Sequence, residues 1–169
     1  MPELNPVIVP NVEQIAREMT GTSQIGMIIK RVRLLNLLQL LKLGFNNLIY
    51  LNYLLQKDFA AGIKLLCELE ILHQLNSGAK FEKKHFALHH QMVDMAVALK
   101  NRRLISYFLT LAKTYNFQPG LVTCNPLFLL KFLADVPIQT DNLVIYISAK
   151  LEPNLEKFLQ ESQIIWKKL

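Results

Sequence analysis

Cysteine is nearly absent from this chain. Cys67 and Cys124 are its two, and no CxxC pair occurs. That argues against a disulfide framework and excludes a thiolate zinc cluster; the expected compartment is a reducing interior, mitochondrial or cytoplasmic. Glycine and proline are scarce, at 6 and 7. No glycine-rich phosphate loop, GxGxxG or GxSxG is present, so the common nucleotide-binding and serine-hydrolase fingerprints have no carrier. Acidic side chains are outnumbered 13 to 19, for a formal charge of +6. That balance suits nucleic acid or an acidic protein. Long apolar runs are missing too. The most apolar stretch, Leu34–Leu43, is about half of a bilayer span and is interrupted by Lys42 and flanked by Lys30, Arg31 and Arg33. It reads as a core helix, and no membrane is expected among the partners. Met1–Pro10 has no apolar core of a secretory signal, and Glu3, Glu13 and Glu18 argue against an acid-free presequence.

What is present is leucine. Apolar residues make up 51% of the chain, a composition that buries a core and favours helix. Asn11–Met19 reads as a short amphipathic helix behind an extended arm. Gln24–Leu43 reads as one long helix, apolar on most faces and therefore packed on both sides, with Gly44 ending it. Leu48–Gln56 follows. Asp58 caps Phe59–Leu75, whose inward residues are Ile63, Leu66, Leu69, Ile71 and Leu72. Further helices are expected over Glu82–Leu99, Arg102–Tyr115, Asn125–Asp135 and Asn154–Lys168. Asn142–Ser148 has the β-branched, aromatic character of a strand, but with helical neighbours and no evident strand partner it is assigned to helix.

Pro119 and Pro153 stand thirty-four residues apart, each following a helix pair. A period in the mid-thirties is the length of one helix–turn–helix repeat, which stacks on its neighbours. The segment Gln118-Pro119-Gly120-Leu121-Val122-Thr123-Cys124-Asn125 resembles the junction between pentatricopeptide repeats, with Cys124 where tyrosine is usual and Gly120 where an acidic residue is usual. The preceding unit, Phe86–Gly120, has thirty-five residues. Its Leu99–Leu104 stretch resembles the turn between that family's two helices. The tetratricopeptide family has nearly the same period.

The resemblance implies a base-reading pair in each repeat. By position the pairs are His90 with Gly120, and Asn125 with Asn154. Asn125 also suits a plain helix N-cap. Lys83, Lys84, Lys100, Arg102 and Arg103 are candidate phosphate contacts, with solvated helix ends as the alternative. His85 and His89, four residues apart, would share a helix face and are weak zinc candidates beside His90 and Asp94. No HExxH accompanies them.

The expected architecture is an all-α right-handed α-solenoid of antiparallel helix hairpins, about eight or nine helices in all. Residues 1–23 form an N-terminal arm with a short helix, and residues 24–169 a helical-repeat domain that a longer array could continue. The expected function is binding of single-stranded RNA, largely through phosphate. The alternative is a protein–protein interaction scaffold of tetratricopeptide-like architecture, and a helical metal-dependent hydrolase is a minor one. No catalytic residue and no cofactor is expected.

Overall fold

The computed structural model describes residues 6–13, 15, 17, 24–56, 58–76, 85–135, 142–148 and 165–169. In chain order the elements are β1 (Val7–Val9), α1 (Gln24–Val32), α2 (Leu37–Leu48), α3 (Leu51–Leu55), α4 (Phe59–Asn76), β2 (His85–Leu88), α5 (His90–Ala98), α6 (Arg102–Tyr115), β3 (Gln118–Thr123), α7 (Pro126–Ala134), β4 (Val144–Ile147) and β5 (Ile165–Lys168). The strands form one five-stranded parallel sheet in the sequential order β1-β2-β3-β4-β5. The all-α solenoid is therefore overturned. The architecture is mixed α/β, and the repeat resemblance has no structural counterpart.

The physical reason lies in the strands. A parallel strand covered on both faces is a continuous apolar run, without the polar alternation of a half-exposed strand. Phe86-Ala87-Leu88, Leu121-Val122 and Val144–Ile147 are such runs, and all are buried. At that length, strand and buried helix share one sequence signature. The near-regular spacing belongs to a different unit. His85 opens β2 and Gln118 opens β3, so the Phe86–Gly120 unit spans a strand and its helical crossover, while Pro153 lies outside the described residues. Pro119 lies inside β3, ahead of Gly120, where pairing with β4 begins. Asn142–Ser148 holds β4, which has partners on both sides. Of the expected C-terminal helix Asn154–Lys168, residues 165–168 form β5, where Ile165 and Trp166 pair with Val144 and Ile145, and the rest lies outside the described residues.

Register fixes two sheet faces. Ala87, Gly120 and Val144 stand in one row, and Leu88, Leu121 and Ile145 in the next, on the opposite face. On the second face Phe86 meets the ring of Phe117 at 4.9 Å, and Phe117 meets Phe108 of α6 at 5.9 Å. On the first face Ala87, Val122, Val144 and Tyr146 form a buried cluster with Ile8 against it. Gly120 is required there. A Cβ at that position would lie 2.5 Å from the Tyr146 ring and 2.9 Å from the Ala87 Cβ. The Tyr146 hydroxyl is buried and makes no hydrogen bond, and burial pushes its phenol above the usual 10.0.

The chain divides into two compact units, Met1–Ile8 with Lys83–Leu169, and Val9–Glu82. In the second, α4 begins as its sequence requires, with Asp58 Oδ1 accepting from the Ala61 amide at 3.0 Å. Its core is polar as well as apolar. Lys64, Glu68, Glu70 and Asn47 are buried. Glu68 accepts from Lys64 Nζ at 3.1 Å, Asn46 Nδ2 at 2.7 Å and Asn47 Nδ2 at 2.8 Å. Glu70 instead accepts from the Asn11 amide at 2.7 Å and lies 3.9 Å from the Arg31 guanidinium. Burial draws the Lys64 ammonium below its usual 10.5, with Glu68 opposing the shift. Burial and the neighbouring Glu70 charge push the Cys67 thiol up.

The expected single helix Gln24–Leu43 is two. Asn36 starts α2 through a reciprocal capping box with Gln39. Gly44 ends nothing. It sits exposed within α2, with open space where a Cβ would be. Nor is the helix packed on both sides. Leu43 and Asn47 are its buried residues, while most of its leucines face solvent.

Candidate functional site

Parallel sheets present their ligand-binding loops at the carboxyl ends of the strands. Two features concentrate chemistry at that edge in this protein. Helices following a strand start there, so their N-terminal amides face the edge. The strands themselves are apolar, so polar residues collect where they stop.

At the end of β3, Thr123 is fully buried and Asp94 of α5 holds it. The Thr123 hydroxyl donates to Asp94 Oδ1, and the Cys124 amide donates to Asp94 Oδ2 at 3.1 Å. Thr123 Oγ1 also accepts from the Asn125 amide at 2.9 Å. One carboxylate on the helix layer thus fixes the β3–α7 turn. β4 ends beside it. The Ser148 amide donates to the Thr123 carbonyl at 3.1 Å, and Ser148 Oγ lies 3.3 Å from Cys124 Sγ. Asn125 takes the N-cap position of α7, but its side chain makes no cap hydrogen bond. Pro126 follows at the first helical position, where a missing N–H costs nothing. By helix geometry the amides of Leu127 and Phe128 have no intrahelical acceptor. Both side chains are exposed, as are Asn125 and Ser148.

One strand over, His89 and His90 follow β2. His89 caps α5, its Nδ1 accepting from the Gln91 amide at 3.2 Å, and the two rings stack at 4.3 Å. The edge therefore carries His89 and His90, then Cys124 and Asn125, then Ser148, on three adjacent strands. Asp94 is committed internally. Among the described residues, the side chains facing out at this edge are hydrogen-bonding and include no carboxylate, and apolar surface at Leu127 and Phe128 borders them.

His90 and Asn125, expected in successive helical tiers, instead stand at the starts of the helices that follow the neighbouring strands β2 and β3 at one sheet edge. Gly120, expected to partner His90, lies beneath the Tyr146 ring. His85 and His89 do not share a helix face. They sit at opposite ends of β2, roughly 13 Å apart at strand rise. Among the described residues no cluster of three or more metal-ligating side chains occurs. Lys100 in the α5–α6 turn and Arg102 and Arg103 at the start of α6 are exposed, at the far end of α5 from His90, about 13 Å along its axis. Lys100 adopts a left-handed φ of 51° there, and Asn101 caps α6. Lys83, Lys84 and Asn154 lie outside the described residues. Sequence reasoning missed Ser148 and the grip of Asp94 on Thr123, which spans 29 residues.

No family model, no curated protein and no solved structure matches the chain. The fold and the edge define its class: an α/β protein with a sequentially ordered parallel sheet and a polar carboxyl-terminal edge.

Proposed function

We propose that this chain is a binding protein for a small acidic ligand, taken at the carboxyl-terminal edge of the sheet. The observation that carries this reading is the uncapped start of α7. Asn125 is exposed with its side chain outside the cap, at the amides of Leu127 and Phe128 that lack an intrahelical acceptor, beside Ser148 and Cys124. A carboxylate or phosphate oxygen supplies what those amides lack, and the positive helix end favours it. His90 adds a donor from the neighbouring strand. Leu127 and Phe128 give a flanking apolar wall, the combination of few polar groups and apolar surface found in ligand sites.

The test is an amide NMR titration of the full chain with inorganic phosphate and with a small aromatic carboxylate. The reading expects saturable shifts at Asn125, Leu127, Phe128 and Ser148. Pro126, having no amide, is silent. Asn125→Asp, which places a carboxylate at the cap, should weaken binding by about tenfold or more. Shifts confined to Lys100–Arg103, or none at all, would overturn it.

A nucleic-acid reading keeps one supporting feature, the exposed cationic turn at Lys100, Arg102 and Arg103. It has lost the stacked tiers that would present one base contact per repeat. Retention on single-stranded RNA that falls steeply with salt and disappears on charge reversal of those three residues would favour it.

A further inference from the structure

Leu34, Leu37, Leu38, Leu41, Phe45, Leu48 and Ile49 are each between 52% and 80% exposed. Helical spacing sets Leu37, Leu38, Leu41, Phe45 and Leu48 along one side of α2, an arc of roughly 100°, with Leu34 just before its N-cap and Ile49 at its C-cap. The opposite side is anchored, with Asn47 bonded to Glu68 of α4. All seven are large apolar side chains gathered on this one element and its ends. A large contiguous apolar surface marks a docking face.

Charge and chemistry narrow the occupant. From Gln24 to Lys57 the sequence contains no aspartate or glutamate, but has Lys30, Arg31, Arg33, Lys42 and Lys57. Lys30, Arg33 and Lys42 are exposed, and at helical pitch Lys42 borders the apolar arc. A second copy would bring two acid-free segments together. A protein interface also carries about one hydrogen bond per 100–200 Å², and the arc holds no hydrogen-bonding side chain. Hydrocarbon needs none, and anionic headgroups match the cationic border. Among the described residues no helix is long and apolar enough to cross a membrane, so contact would be with the surface.

We infer that this face docks the protein on an anionic lipid bilayer, its leucines and Phe45 entering the boundary between headgroups and acyl chains while Lys30, Arg33 and Lys42 meet lipid phosphates. The inference stands apart from the ligand site on the sheet. Co-sedimentation of the full chain with vesicles tests it, comparing phosphatidylcholine alone with a mixture containing about one-third phosphatidylserine. Binding to the mixed vesicles should exceed binding to neutral ones by about tenfold or more and weaken with salt. The substitutions Leu38→Glu with Phe45→Glu should abolish it. Both residues are exposed, so far-UV circular dichroism should be unchanged. Arg33→Glu with Lys42→Glu provides a second variant that leaves the apolar arc intact and should lose the preference for phosphatidylserine. No binding to either vesicle, undiminished binding by both variants, or a dimer in lipid-free solution that Leu38→Glu with Phe45→Glu dissociates would each overturn the inference.

Discussion

In the sheet unit, β2, β3 and β4 bury Phe86–Leu88, Leu121–Thr123 and Val144–Ile147, and polar residues gather where the strands stop. In the helical unit the interior holds Asn47, Lys64, Glu68 and Glu70, while leucines of α2 face outward. Sheet backbone bonds are satisfied strand to strand, so the sheet's side chains can be almost wholly apolar. The helical unit spends part of its interior on an ion pair and two amides that must stay mutually satisfied. The difference teaches where each unit can change. The sheet tolerates little change in volume, and the helical unit little change in charge.

Breaking the charge network should have the largest effect. Glu68→Leu removes the carboxylate from the Lys64 ammonium and from the Asn46 and Asn47 amides, leaving Lys64 the neutral oxygens of Asn46 and Asn47 and leaving Asn47 Nδ2 the Leu43 carbonyl. The expected cost is about 3–5 kcal/mol in urea denaturation. Lys64→Met combined with Glu68→Leu should recover part of that loss, because the charge goes with its partner. A loss below about 1 kcal/mol for Glu68→Leu would mean the network is open to water.

Volume tests the sheet. Gly120→Ala puts a methyl into the Tyr146 ring and against Ala87, and should cost about 1–3 kcal/mol. Equal stability of the alanine variant would show that Tyr146 does not lie over β3.

Alkaline pH separates the units by sign. Lys64 releases its proton more readily in the folded chain, since burial lowers its value from 10.5. As pH rises through that lowered value towards 10.5, the unfolded state holds more protons, so the Lys64 contribution to stability rises. Tyr146 behaves oppositely. Its value is raised above 10.0, so its contribution is complete below pH 10.0 and is lost as pH rises further. Tyr146→Phe should remove that loss and, by deleting a buried hydroxyl that makes no hydrogen bond, stabilise the protein by about 1 kcal/mol at neutral pH. Denaturation series of Tyr146→Phe and Lys64→Met across the alkaline range measure both slopes.

The smallest effect belongs to the α5–α6 turn. Lys100 holds a left-handed conformation that glycine adopts freely, so Lys100→Gly should stabilise by about 0.5–1 kcal/mol in thermal or urea unfolding. A loss would show that the lysine side chain supports the turn.

Much of the helical unit was legible in the sequence. Asp58 announces α4, and Ile63, Leu69, Ile71 and Leu72 are buried as their spacing requires. The side of α2 that stays uncovered was not legible, because periodicity shows that a stripe exists without showing what packs on it. Val144–Ile147 shows strand character in its β-branched and aromatic residues, but its partner β3 and the next strand β2 were not legible, because burial on both faces erases the alternation that would mark them. His90 and Asn125 were singled out from a repeat pattern that the fold lacks, yet both fall on the carboxyl edge because strand-to-helix junctions carry polar, capping-type residues. The Asp94–Thr123 and Cys124–Ser148 contacts join residues 29 and 24 positions apart, and local sequence patterns do not encode such pairs.

Ligand belongs to the sheet unit and lipid surface to the helical unit, and hydrogen–deuterium exchange of the full chain reads both at once. With phosphatidylserine-containing vesicles, peptides covering Leu34–Ile49 should gain protection while those covering Thr123–Phe128 do not. Inorganic phosphate or an aromatic carboxylate should produce the reverse pattern. Protection spread equally over both segments, or absent from Leu34–Ile49 with vesicles, would contradict the division.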